Sequence, residues 1–312
     1  MIYARTAMNL SRSAEISSDP FSEVLAALGV RSVRGTGLRA AGNWALSFDG
    51  RERLKFIAVL QGECWVILPD HPPKALAAGD VVLINNTGYT VASEPSVAPI
   101  DGMPLYAAPG HDVVQIGAGD EVVMMGGGSG FADGCGSFVL DALPRFLPVD
   151  RNSPAAAAVK RTLESLRTEV DGGELGGSLV TERLAEILVV AAIRAFVAAS
   201  PGASIGWITA LADPRIGKAL RLLHGDVARR WTVPQLASEV GMSRSAFTQR
   251  FAARVGRPPL DYLTNWRMVL ARRGLSEGQS VAMVAAAVGY ASQSAFSCAF
   301  KRIFGRSPRS DG

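Results

Sequence analysis

The sequence predicts a multidomain α+β fold: a β-barrel over residues 1–150, a helical linker over 151–205, and an all-α double helix-turn-helix domain over 206–312. Three observations carry this. Short β-type runs separated by Gly and Pro fill residues 30–141, at the spacing of a barrel or sandwich. Helical periodicity replaces them from residue 153. Beyond residue 230 one stretch occurs twice, with matched positions 49 residues apart, and such repeats mark duplicated structural units.

Composition sets the bounds. A length of 312 residues suggests two domains, and 48% hydrophobic with 19% charged content suits a chain that buries a sizeable core. The net charge of +4 is unevenly divided. Residues 214–312 hold 16 Lys plus Arg against 5 Asp plus Glu, a balance of +11, and residues 1–213 hold 16 against 23, a balance of −7. A basic domain on an acidic one is the electrostatic footprint of nucleic-acid binding. Cys64, Cys135 and Cys298 are odd in number and far apart, without a CxxC, so no zinc site or disulfide framework is indicated and a reducing cytoplasm is expected. Residues 1–19 are polar and lack the apolar run of a signal peptide. The most apolar helical stretch, 184–199, carries Glu186 and Arg194 and is too short to span a bilayer, so no membrane partner is expected.

In chain order, Asp19-Pro20 opens a helix as N-cap and first residue, with Phe21, Val24, Leu25 and Leu28 apolar and Gly29 as the stop. Strand-type runs follow at 44–48, 54–60, 64–68, 81–84, 89–92, 113–116, 122–125 and 138–140. Within them, Val59-Leu60-Gln61-Gly62-Glu63-Cys64-Trp65 and Ala78-Gly79-Asp80-Val81-Val82-Leu83-Ile84 resemble a cupin-like sensor domain, and residues 131–147 resemble the exit from that barrel. Cupins often bind metal through His, but the corresponding positions hold Ile57 and Thr90, and His71, His111 and His224 are scattered. Neutral imidazoles must converge to hold a metal, so a barrel without metal or other cofactor, and without enzyme chemistry, is expected. Asp133 and Cys135, in a Gly-rich context without a His partner, read as a turn with a small buried Cys. Trp44, Phe56, Trp65 and Tyr89 offer aromatic walls for a small, mostly apolar effector. Which of them face inward is left open, since a one-residue slip of register inverts every side chain.

Residues 155–170 and 179–199 read as two helices. The second carries the stripe Leu184, Ile187, Leu188, Ala191 and Ala195, which serves equally as packing against the barrel or as a homodimer seam. Ser200-Pro201-Gly202 closes it, and 207–211 begins the packing of the next domain. Asp213-Pro214 opens a helix expected to reach Arg230, and Thr232 with Gln235 forms a capping box for the next. Gly241 and Gly289 supply left-handed turns, and Ser243 and Ser292 the N-caps that follow. In the first unit Phe247 and Phe251 face inward, leaving Ser245, Thr248, Gln249 and Ala252 outward. The second unit repeats the pattern with Phe296, Phe300, Gly305 and Pro308, its turn longer by one residue. Pro258-Pro259 starts the joining helix, with Leu260, Leu263, Val269 and Leu270 apolar, Arg267, Arg272 and Arg273 exposed, and Gly274 as its end. About fifteen residues at about 1.5 Å each span roughly 22 Å, enough to set two recognition helices about one DNA turn, some 34 Å, apart.

These two units resemble the DNA-binding domain of AraC-type transcription regulators over about residues 213–309. The resemblance implies an effector-responsive activator of transcription that binds double-stranded DNA, with RNA polymerase and a second copy of the chain as further partners. Base readout falls to Arg244, Ser245, Thr248 and Gln249 in unit one and to Gln293, Ser294, Ser297 and Cys298 in unit two, while Arg250, Arg257, Lys301 and Arg302 are expected on phosphates. Cys298 stands where the family commonly has Arg, and the chain ends four residues past Pro308, where the family continues with a further helix. Unit one is therefore expected to discriminate bases and unit two mainly to anchor. Two other readings stay open: a DNA-binding protein whose barrel only dimerises, and a cupin enzyme fused to a DNA-binding module.

Overall fold

The computed structural model describes residues 19–27, 31–51, 53–107, 112–130, 136–172, 175–199 and 206–310. The Asp19 carboxylate accepts from the backbone N–H of Phe21 and Ser22 and caps α1 (Pro20–Ala27). Phe21 and Val24 are buried; the Leu25 side chain, Leu28, Gly29, His111, Asp133 and Cys135 lie outside the described residues.

The β-rich region is two facing sheets rather than one closed barrel. The first is six-stranded, in the order β11 (Phe146–Val149), β6 (Val81–Asn85), β3 (Leu54–Gln61), β10 (Val122–Gly130), β1 (Arg31–Ala40), β9 (Val113–Ile116). The second runs β5 (Lys74–Ala77), β4 (Glu63–Ile67), β7 (Tyr89–Ala92), β2 (Ala45–Phe48), β8 (Ile100–Asp101). Pairing is antiparallel except at the edge pairs β1 with β9 and β2 with β8. Leu38, Ile57, Val59, Val82, Ile84 and Met124 of the large sheet meet Leu46, Cys64, Val66 and Val91 of the small one in a shared core. The other face of the large sheet, carrying Leu54, Phe56, Val81, Leu83, Val123 and Met125, is covered by helices. That double burial explains why the 81–84 run is continuously apolar, where a half-solvated strand alternates. Thr90 alternates with the inward Tyr89 and Val91 and pairs with Ser47 and Ile67, so it sits on the outer face; of the two cupin ligand positions only Ile57 points between the sheets.

The covering layer is α3 (Ala157–Gly172) and α4 (Gly177–Ala199). Leu188, Ala191 and Ala195 of the expected stripe are buried there, Leu184 is half-buried, and Ile187 is 53% exposed. The buried face also takes in Ala185, Val189, Ala192 and Ile193, so most of the stripe packs on the sheet and Ile187 belongs to the opposite surface with Leu179 and Val180. A short helix α2 (Ser137–Leu140) follows β10, where the sequence suggests a strand. Its end is held by Asn85 Nδ2, which donates to the carbonyls of Leu140 and Leu143 at 2.7 and 2.8 Å.

Seven α-helices complete the described chain: α5 (Trp207–Ala210), α6 (Pro214–Gly225), α7 (Val233–Glu239), α8 (Arg244–Val255), α9 (Pro259–Ser276), α10 (Val281–Ala287) and α11 (Gln293–Phe304). Helix α6 stops at Gly225, five residues short of expectation, because Trp231 folds back and donates from Nε1 to the Asp226 carbonyl, turning the chain. Helix α9 runs past Gly274, which is buried inside it. Its 18 residues span about 27 Å at about 1.5 Å each. Arg272 is buried over the Phe304 ring, and Arg267 donates to the carbonyls of Val227 and Arg229, so only Arg273 of the three expected surface arginines is exposed.

One apolar core runs from the helix-covered face of the large sheet through α3 and α4 into α5–α9. At its centre Phe138 of α2 lies 5.5 Å from Trp207, 5.4 Å from Tyr262 and 5.6 Å from Trp266. The Trp207 indole donates to the Phe138 carbonyl at 2.8 Å. His224 stacks on Trp266 at 4.5 Å, with Nδ1 3.1 Å from the Glu23 carboxylate and Nε2 2.7 Å from the Tyr262 hydroxyl. Burial lowers the His224 pKa more than Glu23 raises it. The neutral ring then donates from Nδ1 to Glu23 and accepts the Tyr262 proton at Nε2.

The folded-state pKa of His224 thus lies below its ordinary value of about 6.5. As pH falls below that value the unfolded chain binds the proton first, and stability drains away until the folded pKa is passed. We expect the melting midpoint to fall between neutral and mildly acid pH, and to fall less in His224→Gln. An equal acid slope in the two proteins would assign the loss to other groups.

Candidate nucleic-acid interface and ligand cavity

Each recognition helix is cut out by local chemistry. The Ser243 hydroxyl accepts from the Ala246 N–H at 3.3 Å to start α8, and Ser292 accepts from Ala295 at 3.2 Å to start α11. Gly241 and Gly289 turn the chain just before, at φ of 65° and 81°. Both turns close alike, Met242 donating to Ala237 and Tyr290 to Ala285; the extra residue of the second unit, Ala291, falls after that closure. Gly289 is constrained twice, since a Cβ there would also overlap the Ala228 carbonyl. Phe247 and Phe251 are fully buried with rings 5.6 Å apart, and Phe296 and Phe300 repeat this at 5.7 Å.

Burying those faces presents the opposite ones. Arg244, Ser245 and Gln249 are exposed on α8, and Gln293, Ser294, Cys298, Lys301 and Arg302 on α11. Thr248 and Ser297 are half-buried, and the Thr248 hydroxyl donates to the Arg244 carbonyl at 2.9 Å. The turn preceding α8 is braced from α6, where Lys218 donates to the Glu239 carbonyl and Arg215 to that of Gly241. Two cations thereby satisfy carbonyls at and just beyond the C-terminus of α7.

Two expected phosphate contacts are engaged elsewhere. Arg250 donates from Nε and Nη2 to Oδ2 of Asp213 at 3.0 and 2.8 Å, with Arg254 Nε 3.8 Å from the same oxygen. Asp213 also caps α6 through the N–H groups of Arg215 and Ile216. Burial would raise its carboxyl, but the N–H donors and Arg250 together hold it below the ordinary carboxylate value. Arg257 turns toward α2, with Nη2 3.7 Å from Asp141. Partners 37 residues apart, as Asp213 and Arg250 are, leave no periodic trace in a sequence.

A cavity of about 500 Å³ opens between the sheets, within the range of small-molecule sites. Of the four aromatic residues expected there only Tyr89 lines it. Phe56 points into the opposite, helix-covered core. Trp44 is buried between the sheets away from the cavity, and Trp65 is half-buried in alternation with the inward Cys64 and Val66. The walls missed from sequence are Phe48, stacked on Tyr89 at 5.3 Å, and Tyr106, whose hydroxyl donates to the Gly37 carbonyl at 3.2 Å. Burial pushes the Tyr106 hydroxyl up to about 12, so it stays protonated. Arg53 and Lys55 supply two cations, and among the described residues no carboxylate lines the cavity. Among the described residues no three His, Cys, Asp or Glu side chains converge as a metal site would require, and no helix is long and apolar enough to cross a membrane.

Comparison with known proteins places both regions. Residues 19–198 match the family described as Cupin, and residues 236–310 match the family described as Helix-turn-helix domain. A protein of Streptomyces antibioticus described as an AraC-like transcription regulator is 40% identical over 93% of this chain and 97% of its own length. A second, from Streptomyces lividans, is 39% identical over 93% and 96%. The HTH-type transcriptional regulator AlkR of Acinetobacter baylyi is 29% identical over 87% and 92%.

Arg250→Ala is expected to lower the melting midpoint, since it removes a partner from the nearly buried Asp213. Were Arg250 bound to a phosphate of the DNA, its removal would instead reduce the slope of log affinity against log salt by about one. We expect that slope to be unchanged in DNA-binding titrations of the variant.

Proposed function

The chain belongs to the AraC-type transcription regulators, and from that membership we propose a DNA-binding regulator whose cavity between the sheets takes a small-molecule effector. The observation that carries this reading is the route from cavity to DNA-facing units. Strand β10 lines the cavity at Met124 and Gly126 and leads through residues 131–135 to α2. There Phe138 meets α9, and Asp141 lies 3.7 Å from Arg257, just past the end of α8. The outer face of β10, with Val123 and Met125, and Phe138 of α2 belong to the one apolar core that also holds Phe247 and Phe251 of unit one, so a change in the packing of β10 bears on that core. The division into residues 1–150 as sensor, 151–205 as helical linker and 206–312 as DNA-binding domain belongs to this reading.

In the same reading the chain activates transcription in the cytoplasm, with RNA polymerase and a second copy as partners, and its cavity binds rather than catalyses. The exposed Leu179, Val180 and Ile187 of α4 support a seam between two copies. An apolar surface of this kind on one helix commonly marks an interaction site.

The two recognition helices are proposed to do unequal work. Unit one offers Arg244, Ser245, Thr248 and Gln249; Arg and Gln make bidentate contacts with guanine and adenine. Unit two offers Gln293, Ser294 and Ser297, with the weak donor Cys298 at the centre of its exposed face. Lys301 and Arg302, exposed in its last turn, are proposed on phosphate; Arg250 and Arg257 are left out, engaged as they are with Asp213 and Asp141. On the preferred site Gln249→Ala should cost about 1–3 kcal/mol and relax one base position, while Lys301→Ala should weaken all sites alike and lower the salt slope by about one. Selection from a randomised DNA library at two salt concentrations measures both. Base preference mapping to Gln293 and Cys298, with Gln249→Ala silent, would reverse the assignment.

A further inference from the structure

We infer that the cavity between the sheets selects an organic carboxylate with a compact apolar body, its charge met by Lys55 and Arg53 and its body held among Phe48, Tyr89 and Tyr106. The inference rests on the effector reading above and adds the chemical class.

Strand β10 provides the first observation. It is paired on both sides, to β1 and β3, yet carries three successive glycines, Gly126, Gly127 and Gly128. Glycine in a strand interior weakens the strand and often marks a site where another group approaches closely. Met124 packs into the inter-sheet core, so alternation puts Gly126 and Gly128 on the cavity face. Gly126 stands opposite Thr36 and Ile57, where a side chain would project into the cavity. Gly128 stands opposite Lys55, and a Cβ there would overlap the lysine stem. The first glycine keeps the space open and the second lets Lys55 lie across the sheet into it.

Charge is the second observation. Lys55 continues the inward series Lys55, Ile57, Val59 of β3, and a leucine there would have closed the core. The ammonium is half-buried, Arg53 stands exposed at the rim, and neither makes an ion pair among the described residues. Burial, and then the like charge of Arg53, depress the Lys55 pKa. Two cations against no carboxylate among the described residues, in an otherwise apolar, aromatic-walled space, match one anionic group on a hydrocarbon body. Phosphate or sulfate alone would leave the aromatic walls without a partner.

The test uses the full chain and two acids, 3-phenylpropanoate and cyclohexylacetate, each paired with its alcohol, and inorganic phosphate alone. Melting midpoints and titration calorimetry are read on wild type, Lys55→Gln, Arg53→Gln and Gly126→Val, with DNA binding as the check that each variant is folded. Both acids should raise the wild-type midpoint by several degrees, while alcohols and phosphate should not. Each charge variant should weaken acid binding by about tenfold or more, and Gly126→Val should abolish it with DNA binding retained. If Lys55→Gln fails to fold, Arg53→Gln at the exposed rim decides alone. Equal shifts from acid and alcohol, or an acid shift that survives loss of the cations, overturn the carboxylate assignment and leave the effector reading standing. A response to phosphate alone overturns the need for an apolar body. No shift with any probe overturns the carboxylate inference and leaves the effector reading standing, to be tested with ligands of other chemistry.

Discussion

The structure depends on where Phe138 is buried. Helix α2 has four residues and could not persist alone, since isolated helices of that length do not hold in water. It is held because its one large side chain sits among Trp207, Tyr262 and Trp266, each within 5.6 Å. Truncating a buried Phe typically costs about 3–5 kcal/mol, a large share of the stability of an ordinary domain. That burial joins the β-rich region to the first helix-turn-helix unit as one core. Most polar groups inside the junction are matched, the Trp207 indole on the Phe138 carbonyl and the Glu23, His224 and Tyr262 chain, while the buried Trp266 indole N–H has no partner among the described residues. Buried polar groups of this sort stabilise when every member is paired, and they fix one arrangement of the surrounding rings.

The two DNA-facing units are mounted differently. Phe247 and Phe251 of unit one belong to the large core that reaches back to the sheet. Phe296 and Phe300 of unit two belong to a separate small core with Met268, Leu275, Val284 and Val288. The two cores meet at the half-buried Leu270 and Phe304, and a cleft of about 160 Å³ separates Phe138 and Asp141 from Ile303 and Phe304. Unit one is thus oriented by the β-rich region itself, while unit two is oriented by helix α9. The base contacts proposed for the two units are unequal in the same direction.

Local features were legible in the sequence and long-range ones were not. The repeat, the caps at Ser243 and Ser292, the box at Thr232 and the phenylalanine pairs all stand as expected, because each is set by residues within a turn or two of one another. The two-sheet shell was legible as a run of short strands, but not its register. Phe56 and Ile57 are neighbours of equal apolarity in a strand buried on both faces, so no alternation says which one enters the cavity. The same double burial hid the helix-covered face of the sheet. Arg250, which is exposed, looked like an unpaired cation because Asp213 lies 37 residues away, and His224 looked isolated because Glu23 lies 201 residues away. Gly126-Gly127-Gly128 has the composition of a turn; only pairing on both sides shows that these glycines sit in mid-sheet.

That pairing bears on how the two ends of the molecule can communicate. The inner face of β10 lines the cavity, while Val123 and Met125 on its outer face belong to the core shared with unit one. A ligand shifts a conformational equilibrium only by the difference in its affinity for the two states. For a cavity ligand that difference has to arise where cavity and shared core touch the same residues, and β10 is such an element. Three glycines at its cavity end weaken the strand there, each by about 0.5–1 kcal/mol relative to alanine. The rest of the strand, anchored by Val122 to Met125 between two cores, is held by close packing that does not deform continuously. In the proposed effector reading, β10 is therefore the element through which occupancy of the cavity would bear on the core shared with unit one. Phe138, in the aromatic cluster beneath α9, and Asp141, 3.7 Å from Arg257 just past α8, stand where that coupling would reach unit one.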